Sequence, residues 1–84
     1  MSGRRKSGLG KIHYNILNLI YKGYGNTRIS YKLNISPYTL ASHLSYLYKY
    51  FGLSNAERSA KRILLYRIIE KSIQSGEIQQ LYDI

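Results

Sequence analysis

The chain has 84 residues, enough for a single domain, and no cysteine, which excludes disulfides, thiolate metal ligands and thiol catalysis. No apolar stretch approaches the roughly 20 residues that cross a bilayer, so we expect a soluble, cytoplasmic protein with no membrane partner. Residues 1–56 carry eight Lys and Arg and no Asp or Glu, whereas residues 57–84 carry a net charge of only +1. This uneven positive charge favours a polyanionic partner, of which nucleic acid is the commonest.

Residues 1–11 have the composition of a flexible basic arm. They contain three Gly, two Ser and the run Arg4, Arg5 and Lys6, with almost nothing to bury. Flexible basic arms enter the minor groove of DNA in some helix-turn-helix proteins, and a solvated tail is the alternative. Residues 12–84 are expected to form the folded domain.

Two helices are predicted in the first part of this domain. Residues 12–22 place their apolar side chains on one helical stripe, and Gly23 is suited to end that helix at positive φ. Asn26 is the predicted N-cap of a short second helix at residues 27–33. The stripe of the first helix consists of Ile12, Ile16, Leu19 and Ile20.

A third helix is predicted at residues 37–50. Ser36 can cap it with its hydroxyl, and Pro37 fits the first helical position, where the amide hydrogen would be unpaired anyway. Gly52 is expected to close it. Its inner stripe is Leu40, Leu44, Leu47 and Phe51. A short helix, a three-residue connection and a longer capped helix make a helix-turn-helix, which places its second helix in the major groove of DNA.

A long fourth helix is predicted at residues 55–75, opened by a capping box from Ser54 to Glu57. Its apolar residues spread over most of its circumference, which is more than one small core covers. This favours a helix that pairs with a second copy of the chain; burial on several sides within its own domain is the alternative. The predicted dimer contacts are Leu65, Ile68, Ile69 and Ile73. Residues 77–84 remain unassigned. Because no valine and no hairpin signal occur, the expected fold is all-α with four helices.

The sequence resembles a known family in residues 9–60. The matching residues are Gly23, the segment ISYKLNISPYTL at residues 29–40, His43-Leu44 and Phe51-Gly52-Leu53. This resembles the LuxR/GerE-type helix-turn-helix domain. The resemblance implies transcriptional regulation, with residues 37–50 as the recognition helix and residues 55–75 as the dimerisation helix.

The resemblance also implies roles for individual positions. In the family, bases are read mainly from the positions of Ala41, Ser42 and Ser45, and the positions of Thr39 and His43 lie near the DNA backbone or brace the helix. The sequence departs from the family at Ala41, Tyr50 and Ala56, where basic residues are usual. Losing the basic residue at Ala41 removes the usual bidentate reading of guanine, so we expect reading by hydroxyls and apolar contacts that favours A/T or DNA shape.

Two sets of contact candidates follow. The base-contact candidates are Tyr38, Ala41, Ser42, Ser45 and Tyr46. The candidates for contact with the DNA backbone, in addition to the basic arm, are Arg28, Lys32, Thr39, His43 and Lys49. No pair of nucleophile and base is visible, and His13 and His43 have no acidic neighbours in sequence, so we expect no catalysis, metal or cofactor.

The sequence therefore predicts a dimeric, nucleoid-associated regulator of double-stranded DNA. We expect it to act alone, without a sensor domain or small-molecule effector, and to repress its own promoter. Two alternatives stay open. Ten tyrosines can stack on unpaired bases, as in an architectural, single-strand or RNA-binding protein that does not read sequence, and the fourth helix can serve a protein-interaction adaptor.

Overall fold

A computed structural model describes residues 9–75 of the protein, which form helices joined by short connections. The helices are α1 (Lys11–Tyr21), α2 (Asn26–Leu33), α3 (Pro37–Tyr50) and α4 (Arg58–Ser75). The all-α, four-helix prediction is confirmed. None of these four helices is long and apolar enough to cross a membrane. The predicted contacts of Arg4, Arg5 and Lys6, and the unassigned residues 77–84, lie outside the described residues.

The core is built from aliphatic side chains of all four helices. Most residues of the inner stripes predicted for α1 and α3 are buried, which confirms the stripes. The exceptions are Ile12 and Phe51, at the ends of the two stripes, which are only partly buried. The ten buried hydrophobic residues are Ile16, Leu17, Leu19, Ile20, Ile29, Leu40, Leu44, Leu47, Leu65 and Ile69.

The first three helices end in the same way. Each is followed by a left-handed residue, namely Gly23 (φ 92°), Asn34 (φ 58°) and Gly52 (φ 75°). The next amide then donates back to a carbonyl five residues earlier, at 3.0, 3.0 and 2.7 Å respectively. This is the Schellman arrangement, in which the residue after the left-handed one packs on apolar neighbours. Those residues are Tyr24, Ile35 and Leu53, and all three contact the core.

Two predicted helix starts are wrong. The N-cap of α2 is Gly25, and Asn26 is already the first helical residue. The Asn26 side chain instead accepts a hydrogen bond from Arg62 of α4, so a distant contact overrides its capping preference. The helix α4 begins at Arg58 and not at residue 55, because a turn intervenes and the carbonyl of Glu57 accepts the first amides, those of Ala60 (2.9 Å) and Lys61 (3.0 Å).

The residues proposed to pair two copies of α4 also need correction. Leu65 and Ile69 are completely buried within the single chain, so neither is available to a partner. Ile73 packs against the same core, and Ile68 is partly buried. The apolar residues that α4 does expose are Ile63 (59%) and Tyr66 (37%). The spacing of apolar residues shows which sides of a helix are apolar. It does not show which of these side chains are buried in the core of the same chain.

His13 holds the start of α1. Its Nδ1 accepts the amide hydrogen of Gly10, the N-cap residue, at 3.0 Å, which requires an unprotonated Nδ1. Burial, with a smaller contribution from the nearby His43, lowers the pKa of His13 below its usual value of 6.5. Protonation would also place a positive charge at a helix N-terminus, where the helix dipole opposes it.

We predict that this histidine makes folding stability fall in mild acid. The unfolded chain binds a proton at His13 from about pH 6.5 downwards, whereas the folded chain resists it until a lower pH, so stability is lost across that interval. One such group changes stability by at most about 1.4 kcal/mol per pH unit. Urea unfolding from pH 8 to pH 5 measures it.

The matched variant is His13→Gln, which can still accept from Gly10 but does not titrate. We expect its urea midpoint to depend less on pH than that of the wild type, with the remaining dependence coming from groups common to both. Identical pH profiles for the two proteins would contradict the prediction.

Candidate nucleic-acid interface

The helices α2 and α3 form a helix-turn-helix with a three-residue turn. Asn34 adopts φ 58° and ψ 46°, and the Ile35 amide donates to the Ser30 carbonyl at 3.0 Å. Ser36 then caps α3, because its Oγ accepts the Thr39 amide hydrogen at 3.0 Å, as predicted. The turn and the cap together fix the direction in which α3 leaves α2.

The outer surface of α3 carries a straight polar stripe. Tyr38, Ser42, Ser45 and Lys49 recur at spacings of four, three and four residues, and all of them are exposed. At 100° per residue they lie opposite the buried Leu40, Leu44 and Leu47. We call these four residues the α3 stripe. It spans 12 residues, and its first and last members lie about 16 Å apart along the helix axis. Ala41, on one side of the stripe, is also exposed.

Tyr46, on the other side, takes part in an aromatic contact between α3 and α1. Its ring stacks on that of His13, with centroids 4.9 Å apart and planes inclined by 28°. His13 also meets His43 edge to face at 5.2 Å. Tyr46 is 41% exposed, so one part of the ring braces the helix and another part faces solvent. We call these three residues the aromatic brace.

The predicted backbone residues fall into two groups. Arg28, Lys32 and Lys49 are exposed. Thr39 is exposed too, but its Oγ1 accepts a hydrogen bond from Ser36 at 3.0 Å, and His43 is partly buried in the aromatic brace. The structure thus gives Thr39 and His43 bracing contacts, which the resemblance allowed as one of two roles.

Sequence reasoning missed two residues that organise this surface. Tyr24, in the loop before α2, lies under two cationic side chains, with the Arg28 Cζ at 5.0 Å and the Lys32 Nζ at 5.9 Å from its ring centroid. His13 stacks on Tyr46. The position of His13 beside the inward stripe of α1, at helical spacing from Ile16 and Ile20, was a signal that it faces another element.

Within residues 9–75 there is no group of three or more His, Asp or Glu placed to hold a metal ion. Burial raises the pKa of Tyr48, with nearby Arg62 opposing the shift, and the Lys61 Nζ lies 5.5 Å from its ring centroid. These contacts hold α4 against α3 and lie away from the α3 stripe.

Comparison with known proteins agrees with this geometry. The family model described as bacterial regulatory proteins of the luxR family matches residues 9–62. Relatives include the HTH-type transcriptional regulator MalT of Yersinia pestis (strain Pestoides F) and of Yersinia pseudotuberculosis serotype O:3 (strain YPIII). Each is 33% identical over 63 residues, which is 71% of this chain and 7% of the relative. The chain therefore matches only a small part of these regulators. No solved structure matches significantly.

The matched segment includes the whole of α1, α2 and α3, with the turn, the cap and the α3 stripe. Within it Ala41, one of the three positions at which the resemblance implies a basic residue, is an exposed alanine beside the α3 stripe. The chain belongs to the luxR family of bacterial regulatory proteins, and its helix-turn-helix is a DNA-binding domain of the kind that regulates transcription.

Proposed function

We propose that this domain recognises a specific sequence in double-stranded DNA through the α3 stripe. The observation that carries the proposal is the stripe itself: three hydroxyl side chains and one lysine on the exposed side of a capped helix. The major groove, about 12 Å wide, accepts one α-helix. With α3 in the groove, Ser42 and Ser45 at the centre of the stripe meet the base edges.

The chemistry of these residues favours A/T-rich sites. Serine hydroxyls donate to or accept from any base, and Ala41 offers a methyl group to the methyl of thymine. With no Arg or Lys at Ala41, guanine loses its usual bidentate partner. Tyr38 and Tyr46 flank the centre and add hydroxyls within reach of base edges or sugars.

Positioning on the duplex depends on contacts with phosphates, which orient the protein without reading sequence. Arg28, Lys32 and Lys49 supply the exposed positive charges for this. The run Arg4, Arg5 and Lys6 is proposed to reach an adjacent minor groove. Thr39 and His43 hold α3 at the angle that lets these contacts form together.

We also propose that two copies pair through the exposed side of α4. Ile63 is 59% exposed there, and Tyr66 stacks on Tyr21 of α1 at 5.5 Å, so the end of α1 and the middle of α4 share one apolar surface. Arg67 and Glu70 lie on the same side of α4 and, across a two-fold axis, can pair reciprocally. Two recognition helices then meet half-sites about 34 Å apart.

The biological role proposed is that of a stand-alone, nucleoid-associated repressor of its own promoter, responding to its concentration and to no small-molecule effector. This role requires that the native polypeptide contains no domain beyond these 84 residues. The mass of the endogenous protein tests whether it acts alone. A reporter gene fused to the protein's own promoter tests autorepression. Reporter expression that rises with the concentration of the protein would exclude it.

One observation supports a second candidate, an architectural protein that coats DNA without reading it. The uncharged Ala41 weakens base reading, while the acid-free first 56 residues maintain strong attraction to any phosphate backbone. Selection from a random duplex pool separates the two. A regulator enriches one site that it binds about a thousandfold more tightly than a scrambled duplex. A coating protein binds every duplex alike, with a steep dependence on salt.

On the enriched site, we predict that the double substitution Ser42→Ala and Ser45→Ala reduces affinity about tenfold, because each hydroxyl contributes about 0.5–1.5 kcal/mol. Affinity for the scrambled duplex should stay within about twofold, since no phosphate contact is removed. Fluorescence anisotropy titrations of both duplexes measure the ratio.

Ser59→Ala is the matched control, because Ser59 is an exposed serine on α4, away from the α3 stripe. It should leave both affinities unchanged. An equal loss of affinity for both duplexes in the double variant would contradict base reading by these serines.

For the dimer, we predict that Ile63→Glu shifts the protein towards monomer without unfolding it, because the side chain is exposed in the single chain. Ile63→Leu keeps an apolar side chain and should leave the dimer intact. Sedimentation equilibrium over a range of concentrations, with and without DNA, measures the change. If wild type and Ile63→Glu show the same mass at every concentration, pairing through this side of α4 is wrong.

A further inference from the structure

Two cationic side chains share one aromatic ring at the outer face of α2. The Arg28 Cζ lies 5.0 Å and the Lys32 Nζ 5.9 Å from the centroid of Tyr24. Arg28 and Lys32 are four residues apart, so they are neighbours on the helix surface and repel each other. The π-electrons of the tyrosine ring attract both cations, which offsets part of this repulsion.

The ring is on a fixed support. The Tyr24 amide donates to the Leu19 carbonyl of α1 at 3.0 Å, and the Tyr24 carbonyl accepts from the guanidinium of Arg62 on α4. Its side chain is partly buried against the core. Three helices thus determine where the ring lies: α1 and α4 through the backbone, and α2 through the cations above it.

The part of the sequence that carries these two cations provides no anion of its own. Residues 1–56 contain no Asp or Glu, so no carboxylate precedes Glu57 in the chain. Arg28 and Lys32 are both exposed, and together with Tyr24, Thr27 and Tyr31 they line an open groove. A cation on an aromatic face keeps its other side available to a ligand. The groove therefore presents two positive charges and neighbouring hydroxyls to one anion.

We propose that Tyr24 is a positioning residue that holds Arg28 and Lys32 as a single phosphate-binding site, and that its ligand is the phosphodiester backbone of duplex DNA. The proposal rests on the proposed function and deepens it, because it makes one preorganised site out of two separate surface charges. Preorganisation matters here because a free lysine or arginine loses side-chain entropy when it is fixed on a ligand. The ring reduces that loss before DNA arrives.

The test compares Tyr24→Leu with Tyr24→Phe in salt-dependent DNA binding. Leucine fills apolar space but has no aromatic face, whereas phenylalanine keeps the face and loses only the hydroxyl. Each phosphate contact contributes about 0.9 to the slope of log K against log salt concentration. We expect Tyr24→Leu to lower the slope by about one or two and to weaken binding about fivefold or more at 0.15 M salt, equally on the selected and the scrambled duplex. Tyr24→Phe should resemble the wild type.

A mutant cycle separates loss of positioning from general damage to the fold. In the background Arg28→Gln and Lys32→Gln, the substitution Tyr24→Leu should cause no further change in slope, because no cation remains to be positioned. If Tyr24→Leu weakens binding as much in that background as in the wild type, the ring acts independently of the two cations and the proposal is overturned. Thermal unfolding confirms that each variant is folded at the titration temperature.

The outcomes also distinguish failure of the Tyr24 proposal from failure of the proposed function. If the wild type binds no duplex at all, the proposed function fails and this inference with it. If the wild type binds and Tyr24→Leu matches it in slope and affinity, only this inference fails. Titration with inorganic phosphate, followed by NMR at the amides of residues 24–32, tests the source of the ligand. Saturation by free phosphate at micromolar concentration would exclude the DNA backbone as the preferred ligand.

Discussion

The architecture depends on how the first three helices are stopped. Each ends at a residue in the left-handed conformation, and the following residue turns back onto the core. At Asn34 this sets the short turn between α2 and α3, because Ile35 returns to the core and leaves Ser36 free to cap the next helix. A bulky β-branched residue at Asn34 would be strained in this conformation. The direction of α3 is therefore decided by local backbone chemistry.

Much of this could be predicted from local patterns. Gly23, Gly52 and the pair Ser36-Pro37 are strong stop and start signals, and they gave the correct ends of α1 and α3. What could not be predicted depends on contacts between residues far apart in the chain. Arg62 takes the Asn26 side chain away from capping across 36 residues. The burial of Leu65 could not be predicted from the spacing of apolar residues, because these residues are distributed almost evenly around α4.

The proposed recognition surface is carried by the helix-turn-helix that the chain shares with its family. A methyl group at Ala41 stands where the resemblance implies a charged side chain, and aromatic contacts with α1 support α3 from the other direction. The aromatic brace joins α3 to α1 through two rings stacked at 4.9 Å. The proposed base contacts are therefore mainly hydroxyls, carried on a helix that is braced against α1. Such a surface gains selectivity mainly by fixing where each hydroxyl lies, because a misplaced hydroxyl can rotate to pair with almost any base.

Arg62 has a consequence for communication across the molecule. Its guanidinium binds the loop that carries Tyr24, and the next residue in the chain, Ile63, faces outward on α4. A ligand held on α2 and a partner held on α4 would therefore act on adjacent residues of one helix turn. Linkage is reciprocal: whatever free energy pairing adds to DNA affinity, DNA returns in full to pairing. Arg62 would therefore connect the proposed phosphate site on α2 with the proposed pairing surface on α4.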